Sequence, residues 1–266
     1  MVSGMAEQRV TITMEDGVAD VQLARPEKMN ALDPAMFAGI IAAIAQLSTT
    51  AGLRAVVLSG AGKAFSAGLD MASMAGGVNM GDIRVRTQGL ANDFQQVAWG
   101  WRTLAVPVIA AAHGVVFGGG LQILAGADIK IAAPGTRFSV MEMKWGLVPD
   151  MAGIALWRST VRDDVLRELT FSAREFSSEE AAAFGFVTRI AMDPLAEARA
   201  LARSIANRSP QAVRGAKRLL NAMPEQGAAA LLQAESDEQA KLIFQPAQLE
   251  AVQANIEKRA PKFPDD

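Results

Sequence analysis

Ala112-His-Gly-Val-Val-Phe-Gly-Gly-Gly-Leu-Gln-Ile-Leu-Ala-Gly126 is the stretch whose reading decides the fold. It reads as a buried strand handing over to a helix. Pro107 to Ala112 is apolar and short, as suits a strand buried on both faces, and Leu121 to Ala125 resumes with helix-forming residues after three consecutive glycines. Gly118, Gly119 and Gly120 carry no Cβ, so a ligand oxygen can approach their N–H groups closely. The first turn of the helix adds its unpaired donors and its positive dipole end. These properties make an anion or oxyanion site, although tight packing of strand on helix would use the same glycines.

A second glycine turn shifts the balance. Leu53 to Ser59 is another apolar, β-branched run, and it empties into Gly60-Ala-Gly-Lys-Ala-Phe-Ser-Ala-Gly-Leu-Asp70. Two buried strands thus end in loops that expose backbone, and each loop can aim one N–H at a shared oxygen. Neither loop is a nucleotide fingerprint. Lys63 lacks the Gly-x-x-x-x-Gly-Lys-[Ser/Thr] context, and Ile123 stands where the last glycine of Gly-x-Gly-x-x-Gly would fall.

Half of the 266 residues are hydrophobic, enough for one large α/β domain or a domain with a smaller appendage. The net charge is −2 with Lys and Arg scattered, which argues against nucleic acid or an anionic membrane surface as partner. With no Cys the chain has neither disulfides nor thiolate chemistry, and the lone His113 makes a metal site unexpected. The N-terminus, Met1 to Arg9, has no apolar core of signal-peptide length and no apolar run reaches that of a membrane span, so a soluble, cytoplasmic protein is expected.

Along the chain, Val10 to Met14 and Val18 to Leu23 flank an Asp-Gly hairpin signal. Arg25 to Leu32 is an irregular polar loop, and Asp33-Pro34 opens a helix with Phe37, Ile40, Ile41, Ile44 and Leu47 on its apolar face. Met71 to Asp82, rich in Gly and Met, is expected to be a mobile surface loop that can also line an adaptable apolar pocket. Leu90, Phe94, Val97, Trp101 and Leu104 mark an amphipathic helix, and Asp128 to Ala132 another strand. Ser177-Ser-Glu-Glu180 is a capping box, while Asp193-Pro194 and Ser209-Pro210 each pair an N-cap with a first-turn proline. The expected organisation is a body over residues 1–200 and a helical region over 201–266.

Between the two lies Phe138-Ser-Val-Met-Glu-Met-Lys-Trp-Gly-Leu-Val-Pro-Asp-Met-Ala-Gly153. Glu142 and Asp150 stand there among apolar residues, which disfavour a carboxylate's charged form and suit it to proton exchange near neutral pH. Pro149 prevents one regular helix from carrying both. Their alternative roles are a helix cap or an ion pair with Lys144 or Arg158.

Arg25-Pro-Glu-Lys-Met-Asn-Ala-Leu32, Ala64-Phe-Ser-Ala-Gly-Leu-Asp70, Pro107 to Gly120, Phe138 to Gly153, Ala181-Ala-Ala-Phe-Gly-Phe-Val187 and Glu257-Lys-Arg259 occur in an order and spacing that resembles the crotonase (enoyl-CoA hydratase/isomerase) family along nearly the whole chain. The resemblance implies an α/β spiral of ββα turns with a C-terminal helical trimerisation region, assembled as a homotrimer or dimer of trimers. It implies an acyl-CoA thioester as substrate and no cofactor beyond that CoA. It puts the oxyanion hole on the N–H groups of Leu69 and Gly119. Ala67, Gly68, Asp70, Gly118 and Gln122 are implied at the substrate, and Arg25, Lys28 and Lys258 near the CoA phosphates. Family hydratases carry a second glutamate where this chain has Gln122, and the dienoyl-CoA isomerases carry an aspartate there and a second one at the position of Asp150. The Glu142–Asp150 pair therefore favours double-bond isomerisation over hydration. Two other readings are a serine hydrolase built on Ser66 with His113 as base, and an acyl-CoA-binding protein without catalysis.

Overall fold

Asp16 and Gly17 both adopt positive φ, the geometry of a two-residue hairpin turn that matches strand twist, so the first two strands pair with Glu15 opposite Val18. The computed structural model describes residues 8–75 and 82–264. Its strands are β1 (Val10–Glu15), β2 (Val18–Leu23), β3 (Ala55–Gly60), β4 (Val108–Ala112), β5 (Val115–Phe117), β6 (Ile129–Ala132), β7 (Arg137–Ser139), β8 (Phe176–Ser177) and β9 (Arg189–Ile190). Its helices are α1 (Pro34–Ser48), α2 (Met71–Ala75), α3 (Asp93–Thr103), α4 (Gly119–Ala125), α5 (Gly153–Trp157), α6 (Asp163–Ser172), α7 (Ser178–Phe184), α8 (Pro194–Ala206), α9 (Pro210–Ala222), α10 (Ala228–Ala240) and α11 (Pro246–Glu257).

The strands form a sheet in the order β1-β2-β3-β4-β6-β9, parallel from β2 onward, and a small sheet β5-β7-β8. Alternation along β3 and β4 sorts their side chains between two cores. Val56, Leu58, Val108 and Ala110 face the main core with Ile40 and Ile44 of α1, Trp101 of α3 and Leu121 of α4. Ala55, Val57, Ile109 and Ala111 face the other way, where α8 lays Ala198 and Ala202 on them. Alanines one turn apart let that helix sit close to the sheet. A boundary at residue 200 consequently cuts through α8, which packs on the body.

Several local expectations meet their geometry. Asp33 accepts the Met36 N–H at 2.8 Å, Asp193 accepts that of Ala196 at 2.9 Å, and Ser177 and Glu180 bond reciprocally. Others do not. Leu90 is 82% exposed and outside α3, whose real start is a capping box of Asn92 with Gln95. Ser209 makes no side-chain cap. The glycine triplet is not a linker: α4 opens at Gly119, and β5 intervenes before it. Met71 to Ala75 of the expected mobile loop is helix α2, and residues 76–81 lie outside the described residues. No helix among the described residues is long and apolar enough to cross a membrane.

One buried charge in the body carries a testable cost. Lys130 of β6 is 8% exposed, its ammonium meets only the Ala127 carbonyl at 3.4 Å among the described residues, and burial pulls its pKa down from 10.5 to about 8 despite Asp128 nearby. The unfolded chain then binds more protons than the folded one between pH 8 and 10.5. Stability from this group accordingly rises with pH across that window, and below it the full cost of a buried ammonium is present. Lys130→Met, which keeps the stem, should raise stability at pH 7 by on the order of 2–3 kcal/mol. Urea midpoints at pH 7 and pH 10 check this; a gain as large at pH 10 would refute the assignment.

Candidate active site

Asn30 organises the loop that leaves β3. Its buried amide donates to the carbonyls of Ala61 at 2.9 Å, Ala64 at 2.8 Å and Phe65 at 3.2 Å, while its oxygen accepts the Arg25 N–H. Sequence reasoning missed this residue, because the three carbonyls it holds lie more than thirty positions away. The loop then runs as an extra strand between two others. On one side Ser66 exchanges backbone bonds with Val115 and Phe117, and on the other Leu32 donates to Gly68 at 2.8 Å and accepts from Asp70 at 3.0 Å. That parallel bridge uses the groups flanking Leu69, so the N–H of Leu69 itself points away from Leu32.

Gly118 closes β5 at φ 50 and ψ −120, a conformation open to glycine, and its N–H donates to Ser139. Gly119 is thereby the first residue of α4, where no intrahelical acceptor exists for its N–H. Among the described residues neither Leu69 nor Gly119 donates its N–H to a backbone acceptor. The two loops touch because Gly68 is small: a Cβ there would fall 2.6 Å from the Phe117 oxygen and 3.5 Å from the Gly119 nitrogen.

These N–H groups open on a cleft of about 580 Å³ including its mouth. Ala67, Gly68, Leu69, Gly118, Gly119, Glu142 and Asp150 line it, with Met71, Met141, Trp145, Leu147, Val148 and Met151 as its apolar wall. Glu142 opens a 3₁₀ turn after β7 and is 8% exposed. Its Oε1 accepts from Gln122 Nε2 at 2.6 Å, and its Oε2 is buried with no partner. Burial pushes the Glu142 carboxyl above the usual range, and the negative charge of Asp150 adds to the effect. Asp150 stands exposed at the mouth, where partial desolvation by the surrounding wall also raises its carboxyl. Of the alternative partners, Arg158 pairs with Glu225 at 2.9 Å, and the N-cap position of α5 is held by Ala152, with no side-chain cap.

Three implied substrate contacts sit elsewhere in the protein's own bonding. Gln122 is fully buried, and its Oε1 accepts the N–H groups of Met151 at 2.8 Å and Gly153 at 2.9 Å. Arg25 is 8% exposed and engaged by Asp70 at 2.7 Å and Asp33 at 3.4 Å, so its guanidinium is committed inside the loop framework. Asp70, held down to about 2 by Arg25, also caps the Ser73 N–H. Lys28 and Lys258 are exposed. The hydrolase reading loses its nucleophile, since Ser66 is fully buried with its hydroxyl bonded to the Asn30 carbonyl at 2.9 Å and His113 bonds Gly62 at 2.9 Å. Among the described residues no group of three or more His, Cys, Asp or Glu could hold a metal ion.

Comparison with known proteins gives consistent matches. The profile described as enoyl-CoA hydratase/isomerase matches residues 13–266. The mitochondrial Delta(3,5)-Delta(2,4)-dienoyl-CoA isomerase of Mus musculus is 34% identical over 218 residues, 75% of this chain; the chain spans 64% of that protein's length. The hydroxycinnamoyl-CoA hydratase-lyase of Pseudomonas fluorescens is 31% identical over 215 residues, covering 78% of this chain and 76% of that one. Among solved structures, the enoyl-CoA hydratase of Mycobacterium smegmatis superposes with a TM-score of 0.84 at 28% identity, covering 96% of this chain and 99% of that one. With the profile spanning residues 13–266 and the fold of the Mycobacterium smegmatis structure shared over 96% of the chain, this chain belongs to the enoyl-CoA hydratase/isomerase family.

Proposed function

We propose that the cleft binds an acyl-CoA thioester and moves a double bond within an enoyl-CoA or dienoyl-CoA, as part of fatty-acid-type metabolism in the cytoplasm. The observation that carries this reading is the unpartnered Oε2 of Glu142 in a cleft that also presents the Leu69 and Gly119 N–H groups. The Glu142 carboxylate takes a proton from the carbon next to the thioester carbonyl, and the electron pair moves onto the thioester oxygen. Two preorganised donors stabilise that oxyanion, and losing one such donor elsewhere costs about 3–4 kcal/mol. The proton then returns at the far carbon while the charge leaves the oxygen, so the net change is a shifted double bond. Its raised pKa brings Glu142 closer to the strength that such an exchange needs. The reaction calls for no cofactor beyond the CoA of the substrate.

Asp150 at the mouth is the second proton carrier in this reading. Asp150→Asn should lower isomerisation about 10²-fold with little change in thioester affinity. Unchanged turnover with a lowered melting temperature would leave Asp150 a structural residue. Hydration of a 2-enoyl-CoA is the second reading, supported by the likeness to the Mycobacterium smegmatis hydratase. Incubation with crotonyl-CoA, a 3-enoyl-CoA and a 3,5-dienoyl-CoA, each followed by absorbance, separates the two. Faster conversion of either isomerase substrate is expected; rapid loss of crotonyl-CoA alone overturns the preference, and binding with no conversion of any would make this a binding protein.

The C-terminal helices leave Leu220, Leu232, Phe244, Leu249 and Ile256 exposed, and we propose that a homotrimer, or a dimer of trimers, covers them. Lys258 ends α11, and the chain continues to Pro264, whose carbonyl accepts from Arg54 just before β3. That is the end of the sheet away from the site loops, so Lys258 would serve CoA phosphates of a neighbouring subunit, with Lys28 from the subunit's own loop. A monomer mass by light scattering at micromolar concentration would remove both proposals.

A further inference from the structure

We propose that Gln122 is a positioning residue that ties both carboxylates to α4, its carbonyl end clamping the turn that follows Asp150 and its amide end confining Glu142 to one proton-exchanging oxygen. The proposal rests on the reading of Glu142 as proton carrier. It assigns a role to the position where the hydratases that the chain resembles carry a second glutamate.

The orientation of the amide follows from its partners. Met151 and Gly153 both present N–H groups to one end of Gln122, so that end is the carbonyl oxygen, and two bonds occupy its lone pairs. Between those two donors Ala152 sits at φ 69, a conformation that an L residue holds when its surroundings enforce it. The NH₂ end must then face Glu142, and it donates to Oε1 at 2.6 Å. An oxygen that accepts a hydrogen bond from an amide cannot at the same time carry its proton toward that amide. Protonation of Glu142 is thereby directed to Oε2, the oxygen with no partner. The charged group acting on Glu142 across this arrangement is Asp150, which opposes its ionisation. A glutamate at 122 could still accept from Met151 and Gly153, but as a carboxylate it has no proton of its own to donate. Two carboxyl groups at that separation would share one proton between them and draw it away from the cleft.

The test uses the full chain with ¹³C-labelled glutamate, following the Glu142 carboxyl by NMR and assigning it with Glu142→Gln. Gln122→Glu retains the loop clamp and loses the donor. Its Glu142 midpoint should move up, the acid limb of the turnover profile should move with it, and exchange of the Met151 and Gly153 amides should stay slow. Gln122→Met loses both functions: the two amides should exchange faster and turnover should fall about 10²-fold. A Glu142 midpoint in Gln122→Glu equal to that of the unaltered protein overturns the proposal, as does unaltered amide exchange in Gln122→Met. Should the unaltered protein act on none of the three thioesters, the reaction reading falls, while titration and exchange still decide the role of Gln122.

Discussion

Replacing Glu142 by Gln should lower turnover by about 10²–10⁴-fold, the span attributed to general acid–base catalysis, with thioester affinity nearly unchanged. The substitution suits the site sterically. Gln122 can still donate to the remaining carbonyl oxygen at position 142, and the new NH₂ takes the place of an oxygen that has no protein partner. Stability should therefore hold while proton exchange is lost. Because the carboxylate form is the base and burial raises its pKa, activity of the unaltered protein should fall as pH drops through that raised value, at a pH above that of an ordinary glutamate. Steady-state rates against pH and a binding isotherm check both points. A variant retaining a tenth or more of the original rate would place the proton transfer on another residue.

Gly119→Val should abolish detectable turnover, by about 10³-fold or more, and leave the protein folded. A Cβ at Gly119 would fall 2.8 Å from Met151 Sδ and 2.9 Å from Leu32 Cδ1, both ends of flexible side chains that can give way. The added methyl groups then crowd the point where the thioester oxygen meets the N–H, and loss of one such donor alone costs about 10²–10³-fold. Gly120 differs. Its Cβ would lie 2.7 Å from the Ser66 carbonyl oxygen, so bulk there strikes backbone and breaks the loop framework. Circular dichroism and turnover on Gly119→Val check the expectation, and full activity would put the oxyanion donors elsewhere.

Much of the site was legible because its determinants are local. Glycine permits the close approach of a ligand or a neighbouring backbone, so the loops at 60–70 and 118–120 announce themselves. Asp16-Gly17 and the caps at Asp33, Ser177 and Asp193 act over at most three or four residues, and short-range hydrogen bonds of that kind are written in adjacent letters. The apolar surroundings of Glu142 and Asp150 were likewise visible in one stretch, and the structure raises the pKa of both.

Residue type and spacing by themselves determined the α/β class, the two buried strands with their exposed-backbone loops, and the apolar setting of Glu142 and Asp150, while the family resemblance put those carboxylates beside the loops. Tertiary structure alone decided what the buried polar groups do. The resemblance implies Arg25 near the CoA phosphates, and the fold adds that Asp70, 45 positions on, holds its guanidinium; it implies Gln122 at the substrate, and the fold adds that Glu142, Met151 and Gly153 occupy its amide. Helix α8 reads as the start of an appendage until the outer face of β3 and β4 claims it. The physical reason is common to all three. A desolvated amide, guanidinium or apolar face must find its partner wherever the packed chain brings one, and those partners stand tens of residues away in a sequence that carries no local trace of the pairing.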